Sequence, residues 1–135
     1  MDQIDAQATE ALHQLIPFAG HLGIEVIVNT PEQVRAQLPW QERLCTAGGI
    51  FHGGALMALA DTVGAMCAMT NIETRSPGSG TATVESKTNF LRPGKSANAT
   101  ARTLHTGKRF VVVETEIRDD DGKLVAKVTQ TQAVL

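Results

Sequence analysis

Ile4, Ala8, Ala11, Leu12, Leu15 and Ile16 recur at helical spacing and leave Asp2, Asp5, Gln7 and Glu10 opposite them, which predicts a short amphipathic helix over residues 2–16. Pro17 ends it. After Gly20 the period shortens to two: Leu22, Ile24, Val26 and Val28 predict a first strand, the turn-like 29–32 follows, and Val34, Ala36, Leu38 and Trp40 predict a second strand in a hairpin with the first. Residues 41–53, with Gly48, Gly49 and Gly53, predict a loop. Residues 54–69 are then almost wholly apolar with one charge, Asp61, predicting a helix buried all round. The run is shorter than the about 20 residues of a membrane span and holds a carboxylate midway, so no membrane is expected.

From Gly80 the period of two returns in Ala82, Val84, Ser86, Thr88 and Phe90, in Ala97, Ala99 and Ala101, in Val111, Val113, Thr115 and Ile117, and in Leu124, Ala126 and Val128. These are four strands in succession. Their connections, Arg92-Pro93-Gly94-Lys95, His105-Thr106-Gly107-Lys108 and 119–123, are short and turn-rich, so antiparallel pairing is expected. An apolar helix beside one antiparallel sheet is best covered if the sheet curls around it, an α+β arrangement in a single domain spanning 1–135, with 1–19 as N-terminal helix and lead-in. The sheet's outer face and edges still need cover, which favours a homodimer or higher oligomer.

Composition narrows the function. The chain has 135 residues, 42% of them hydrophobic, with net charge -2, 4% aromatic residues and no tyrosine, so a basic, base-stacking nucleic-acid surface is not expected. Cys45 and Cys67 have no CxxC or metal-ligand spacing, the four histidines have none either, and the N-terminus lacks a signal-peptide pattern. A cytoplasmic protein with no metal and no disulfide is the expectation.

Asp61 is the first candidate for chemistry, since a carboxylate in an apolar helix is costly unless hydrogen-bonded or paired. It could sit on a small polar face with Thr62 or bind a backbone group, or it could act as base or nucleophile. The second candidate is His52-Gly53-Gly54, where free N–H groups at a helix start suit a polarised carbonyl or oxyanion. Eight residues of helix separate Gly53 from Asp61 by about 12 Å. One chain therefore cannot readily bring both to one carbon, whereas two antiparallel helices related by a two-fold axis can.

The string from Gly49 to Thr62 with its His-Gly-Gly-x6-Asp core, then Asn89-Phe90-Leu91-Arg92-Pro93 and 121–126, resembles the hotdog-fold acyl-CoA thioesterases of the PaaI type. The resemblance covers roughly residues 20–134. It implies a long helix wrapped by an antiparallel sheet, dimers that often pair into tetramers, and hydrolysis of acyl-CoA, aryl or medium-chain, without a cofactor other than the coenzyme A of the substrate. Asp61 then matches the catalytic carboxylate, activating water or attacking the thioester itself. Gly53 matches the glycine whose N–H polarises the carbonyl, His52 a loop-ordering or substrate-positioning group, and Thr83 the hydroxyl that helps hold the water. Thr46 stands where relatives often carry an asparagine, so a short hydroxyl replaces an amide.

Gly54, Phe51 and Phe90, with Leu56 and Met57, are the expected acyl-site neighbours. Arg92, Lys95, Lys108 and Arg109, with Gly107 as a backbone donor, form a candidate grip for the coenzyme A phosphates. Two other functions stay open: an acyl-CoA binding protein without efficient turnover, and an acyl-thioester hydratase or dehydratase on the same fold.

Overall fold

The apolar stripe at the start of the chain folds as one helix that ends before Pro17, as its spacing predicts, and a second, short helix follows where the sequence pattern shows none. In the computed structural model, which describes residues 3–135, α1 (Ala6–Leu15) is capped by Asp5, whose carboxylate accepts the Ala8 N–H at 2.9 Å. Asp2, read from the sequence as part of its polar side, lies outside the described residues. Ile16 is extended, and Pro17 opens α2 (Pro17–Leu22) at the first helical position, where a missing N–H leaves nothing unsatisfied. Leu22 therefore ends a helix instead of starting a strand. Gly23 turns the chain at a φ of 83°, and β1 runs Glu25–Asn29.

The β1 edge is covered by α1: the Asp5 N–H donates to the Val26 carbonyl at 2.8 Å, and the Val26 N–H donates to the Thr9 hydroxyl at 2.9 Å. β2 (Val34–Leu38) pairs antiparallel with β1, as the hairpin pattern predicts. Trp40 falls outside the strand, because its indole N–H donates to the Gly49 carbonyl at 2.9 Å and so braces the following loop. That loop holds two single 3-10 turns, Glu42–Leu44 and Ala47–Gly49, and folds back on itself where Cys45 bridges Phe51.

The apolar helix, α3 (Gly53–Glu73), is longer than the apolar run. Thr70 and Asn71 extend it because their side chains donate to the Met66 and Cys67 carbonyls, each at 2.8 Å, and so do not compete for its end. By length and hydropathy it could cross a membrane, but it is the core helix, with Leu56, Leu59, Val63, Cys67 and Ile72 buried against the sheet. It is not buried all round. Met57, Asp61 and Met69 are exposed on one side.

β3 (Thr81–Phe90), β4 (Ala97–Thr106), β5 (Phe110–Arg118) and β6 (Leu124–Val134) complete one curled antiparallel sheet in the order β1-β2-β4-β5-β6-β3. Succession in the chain is thus not succession in space: residues 91–96 carry the chain across, so that β4 lies between β2 and β5 while β3 pairs with β6 at an edge. His105 and Thr106 end β4 rather than forming the turn. The architecture is the α+β hotdog arrangement, a long helix wrapped by an antiparallel sheet.

Candidate active site

Asp61 faces the β3–β6 pair. The Thr83 hydroxyl donates to Asp61 Oδ1 at 3.2 Å, and Gln130 Nε2 donates to the same oxygen at 3.4 Å. Neither structural alternative for Asp61 applies, since its partners are side chains of two strands, and Thr62 turns its hydroxyl to the Ala58 carbonyl at 2.8 Å. The carboxylate is exposed in the chain rather than buried, so it is open to a reactant.

A bulge puts Thr83 there. β3 pairs Thr83 with Gln132 and Glu85 with Thr131, leaving Val84 as an extra residue, so Thr83 shares the helix-facing side with Ser86, Thr88 and Phe90. Strict alternation would send Thr83 to the other face. Gln132 Nε2 then donates to the Thr83 hydroxyl oxygen at 2.6 Å, which leaves the hydroxyl proton for Asp61.

Gln130 and Gln132 were not among the candidates read from the sequence. Both are fully buried, in the helix-facing row that begins with Ala126 and Val128. Extending that period of two by four residues would have found them. Gly64 accommodates Gln130: a Cβ on this glycine would lie 1.9 Å from Gln130 Oε1.

At the start of α3, His52 is the N-cap, and its Nδ1 accepts the Gly54 N–H at 2.8 Å. The cap orders the start of the helix and occupies the Gly54 N–H, which is therefore not free for a substrate. Among the described residues, the Gly53 N–H has no acceptor, so it is the free donor of this helix end. Phe90 packs on it, with Cζ 3.0 Å from where a Gly53 Cβ would be, and would wall any carbonyl placed there. Phe51 and Leu56 instead belong to the buried core. Thr46 is exposed on the loop, its N–H donating to the Ile50 carbonyl at 2.8 Å, and its hydroxyl bonds nothing among the described residues.

The phosphate candidates do not form one cluster in the chain. Arg92 and Lys95 precede β4, whereas Lys108 and Arg109 follow it, and ten strand residues separate the two pairs by about 30 Å. Gly107 is no free donor: its N–H bonds the Phe110 carbonyl at 2.8 Å, and its own carbonyl accepts from Arg75. Cys67 is buried, and desolvation pushes its thiol up to about 11, against any nucleophilic role.

Comparison with known proteins supplies what geometry does not. The family model of the thioesterase superfamily matches residues 48–126. A Mycobacterium tuberculosis protein, Rv1847, named provisionally as an esterase, is 30% identical over 118 residues, 86% of this chain and 84% of the relative. The crystal structure of thioesterase HI1161 from Haemophilus influenzae superposes with a TM-score of 0.85 at 27% identity, covering 100% of this chain and 95% of that one. Thioesterase PA1618 from Pseudomonas aeruginosa, solved as a mutant, gives a TM-score of 0.84 at 27% identity over 94% and 93%.

Proposed function

The chain belongs to the thioesterase superfamily, and from thioester hydrolysis as the premise we propose that it cleaves acyl-CoA to the free acid and coenzyme A at a site shared between two subunits. The observation that carries this reading is the Asp61 carboxylate, whose Oδ1 is held by two strand donors and whose Oδ2 has no donor among the described residues, on the same helix as the Gly53 N–H, which has no acceptor among them.

Asp61 Oδ2 takes a proton from water as the water oxygen attacks the thioester carbon. The carbonyl oxygen, becoming an oxyanion, receives the partner subunit's Gly53 N–H. Collapse breaks the C–S bond, and the proton held by Asp61 passes to the sulfur, giving acid and thiol. The two groups come from different subunits because they stand about 12 Å apart along one helix.

A second copy also answers the exposure of β3. Among the described residues its outer edge carries no partner strand, its residues 82–87 are exposed on both faces, and Val84 is 58% exposed. Antiparallel pairing of this edge with its copy covers both and lays the two α3 helices side by side in opposite directions.

The test is release of the coenzyme A thiol from benzoyl-, phenylacetyl- and octanoyl-CoA by the wild type and Asp61→Asn. Turnover that falls by about a hundredfold or more in the variant, with the oligomer intact, supports the reading. Tight acyl-CoA binding without turnover in the wild type would favour a binding protein, and equal turnover by both would remove Asp61 from the chemistry. Mixing Asp61→Ala subunits with Gly53→Pro subunits, which lack the N–H, should restore some activity if the site is shared.

A further inference from the structure

Two glutamines lie fully buried in the apolar, helix-facing row of β6, and the acceptor atom of one of them, Gln130 Oε1, has no hydrogen-bond partner. Buried polar groups are normally satisfied, so an orphaned acceptor in the core calls for a reason. The surroundings of Gln130 supply one.

A carboxylate only accepts, so the Gln130 amide turns its NH2 toward Asp61 and its oxygen toward the helix. There the oxygen meets Gly64, whose missing Cβ is what leaves it room. Gln132 completes the set from the other side. Its Nε2 fills the acceptor site of Thr83, which fixes the direction of the Thr83 proton toward Asp61. Among the described residues, both donors to Asp61 end on Oδ1 and none reaches Oδ2.

We propose that Gln130 and Gln132 are positioning residues for Asp61, locking its carboxylate so that Oδ1 is held by the strands and Oδ2 alone faces the reacting water. This rests on the catalytic reading of Asp61 above. Gln130 acts directly on the carboxylate and Gln132 acts through Thr83. A free carboxylate rotates and presents either oxygen at varied angles, so losing the lock lowers the fraction of bound substrate in attack geometry. The effect falls on kcat and leaves substrate binding alone.

Gln130→Met and Gln132→Met keep the length of the side chain and remove its amide. For the acyl-CoA turned over fastest by the wild type, kcat should fall by about tenfold or more, through a lost bond to the carboxylate in Gln130→Met and a freed Thr83 hydroxyl in Gln132→Met, while KM stays within about twofold. Thermal stability should not fall in Gln130→Met, since an orphaned acceptor leaves the core. In the Asp61→Asn background neither substitution should reduce the remaining rate further, because each acts through Asp61.

Wild-type kcat in both methionine variants, with Asp61→Asn inactive, would overturn the positioning role and leave the catalytic reading standing. So would losses that add to that of Asp61→Asn. An active Asp61→Asn would overturn both readings together. If Gln130→Met does not fold, Gln132→Met carries the same comparisons.

Discussion

Gln130 occupies the space that a side chain on Gly64 would fill: a Cβ there would stand 1.9 Å from Oε1 and 2.6 Å from Cδ. A glycine inside a helix costs roughly 1 kcal/mol against alanine, and an unpaired buried acceptor costs about 1–3 kcal/mol, so both residues weaken the fold at one point. Gly64→Ala in the wild type should then destabilise by roughly 1–3 kcal/mol, because the amide must move, and should lower kcat with it. In a Gln130→Ser background the obstacle is gone and the same substitution should stabilise. Urea unfolding of the four proteins checks the sign change; an equal effect in both backgrounds would show that the contact is not its cause.

Thr83 joins two bonds that a valine cannot make. Thr83→Val leaves the Gln132 amide without the acceptor it has at 2.6 Å and takes one donor from Asp61. The expected outcome is a loss of stability of about 1–3 kcal/mol and a fall in kcat of about tenfold. Thr83→Ser keeps the hydroxyl and should retain most of both. Steady-state kinetics beside thermal melts decide it, and a serine variant as impaired as the valine one would assign Thr83 to packing instead.

His52 holds the start of α3 through Nδ1 and the Gly54 N–H at 2.8 Å. The accepting nitrogen carries no proton, so the ring is in its Nε2–H form while the cap is made. His52→Ala should cost about 0.5–2 kcal/mol, and His52→Asn, a good cap, considerably less. If the histidine only orders the loop, the asparagine variant also recovers turnover. A stable but inactive asparagine variant would give the ring a direct task on substrate.

Most local elements were legible in the sequence because each rests on a local period, and they reappear with shifted ends, α3 to Glu73, β1 from Glu25, β4 to Thr106; the six-residue α2 is too short to show a period and was not read. What local pattern cannot carry is pairing between distant segments. Nothing near Phe90 says that it lies opposite Ala126, and the hairpin-like turn 92–95 conceals a crossover. The same gap explains the phosphate candidates, since two basic turns look alike until topology places them at opposite ends of β4. Asp61 and the His52-Gly53-Gly54 start of α3 stood out from the residues themselves, and Thr83 only from the resemblance; the structure brings Thr83 to Asp61. Gln130 and Gln132 were missed because glutamine on a strand normally faces water, although their parity with Val128 pointed inward.

The two cysteines should differ sharply toward a thiol reagent. Cys67 is fully buried with its thiol pushed up to about 11, so at pH 8 on the order of one in a thousand is thiolate, and that fraction is out of reach. Cys45 is partly exposed beside the loop, its Sγ 3.4 Å from the Gln41 carbonyl. One equivalent of label per native chain, at Cys45 by mass spectrometry, and two after denaturation are expected. Labelling of Cys67 in the native protein would mean that the core around α3 opens readily.

The basic turns at the two ends of β4 can serve one coenzyme A only if two subunits contribute. Arg92 donates from Nε to the Leu124 carbonyl at 3.1 Å, which anchors the guanidinium and leaves its terminal nitrogens for a phosphate, and it follows Phe90, which packs on Gly53. Lys108 and Arg109 lie by contrast near the end of α3, where Arg75 reaches Gly107. When two α3 helices run antiparallel, the end of one meets the start of the other, so Arg92 of one chain and the partner subunit's Arg109 approach the same mouth. Arg92→Glu and Arg109→Glu should each raise KM for acyl-CoA on the order of fivefold or more, an exposed pair lost and a repulsion gained. An N-acetylcysteamine thioester of the same acid, which lacks the phosphates, should keep its KM in both. If only Arg92→Glu discriminates between the two substrates, the grip belongs to one chain and the antiparallel arrangement of the dimer loses this support; equal effects on both substrates would remove phosphate binding from either arginine.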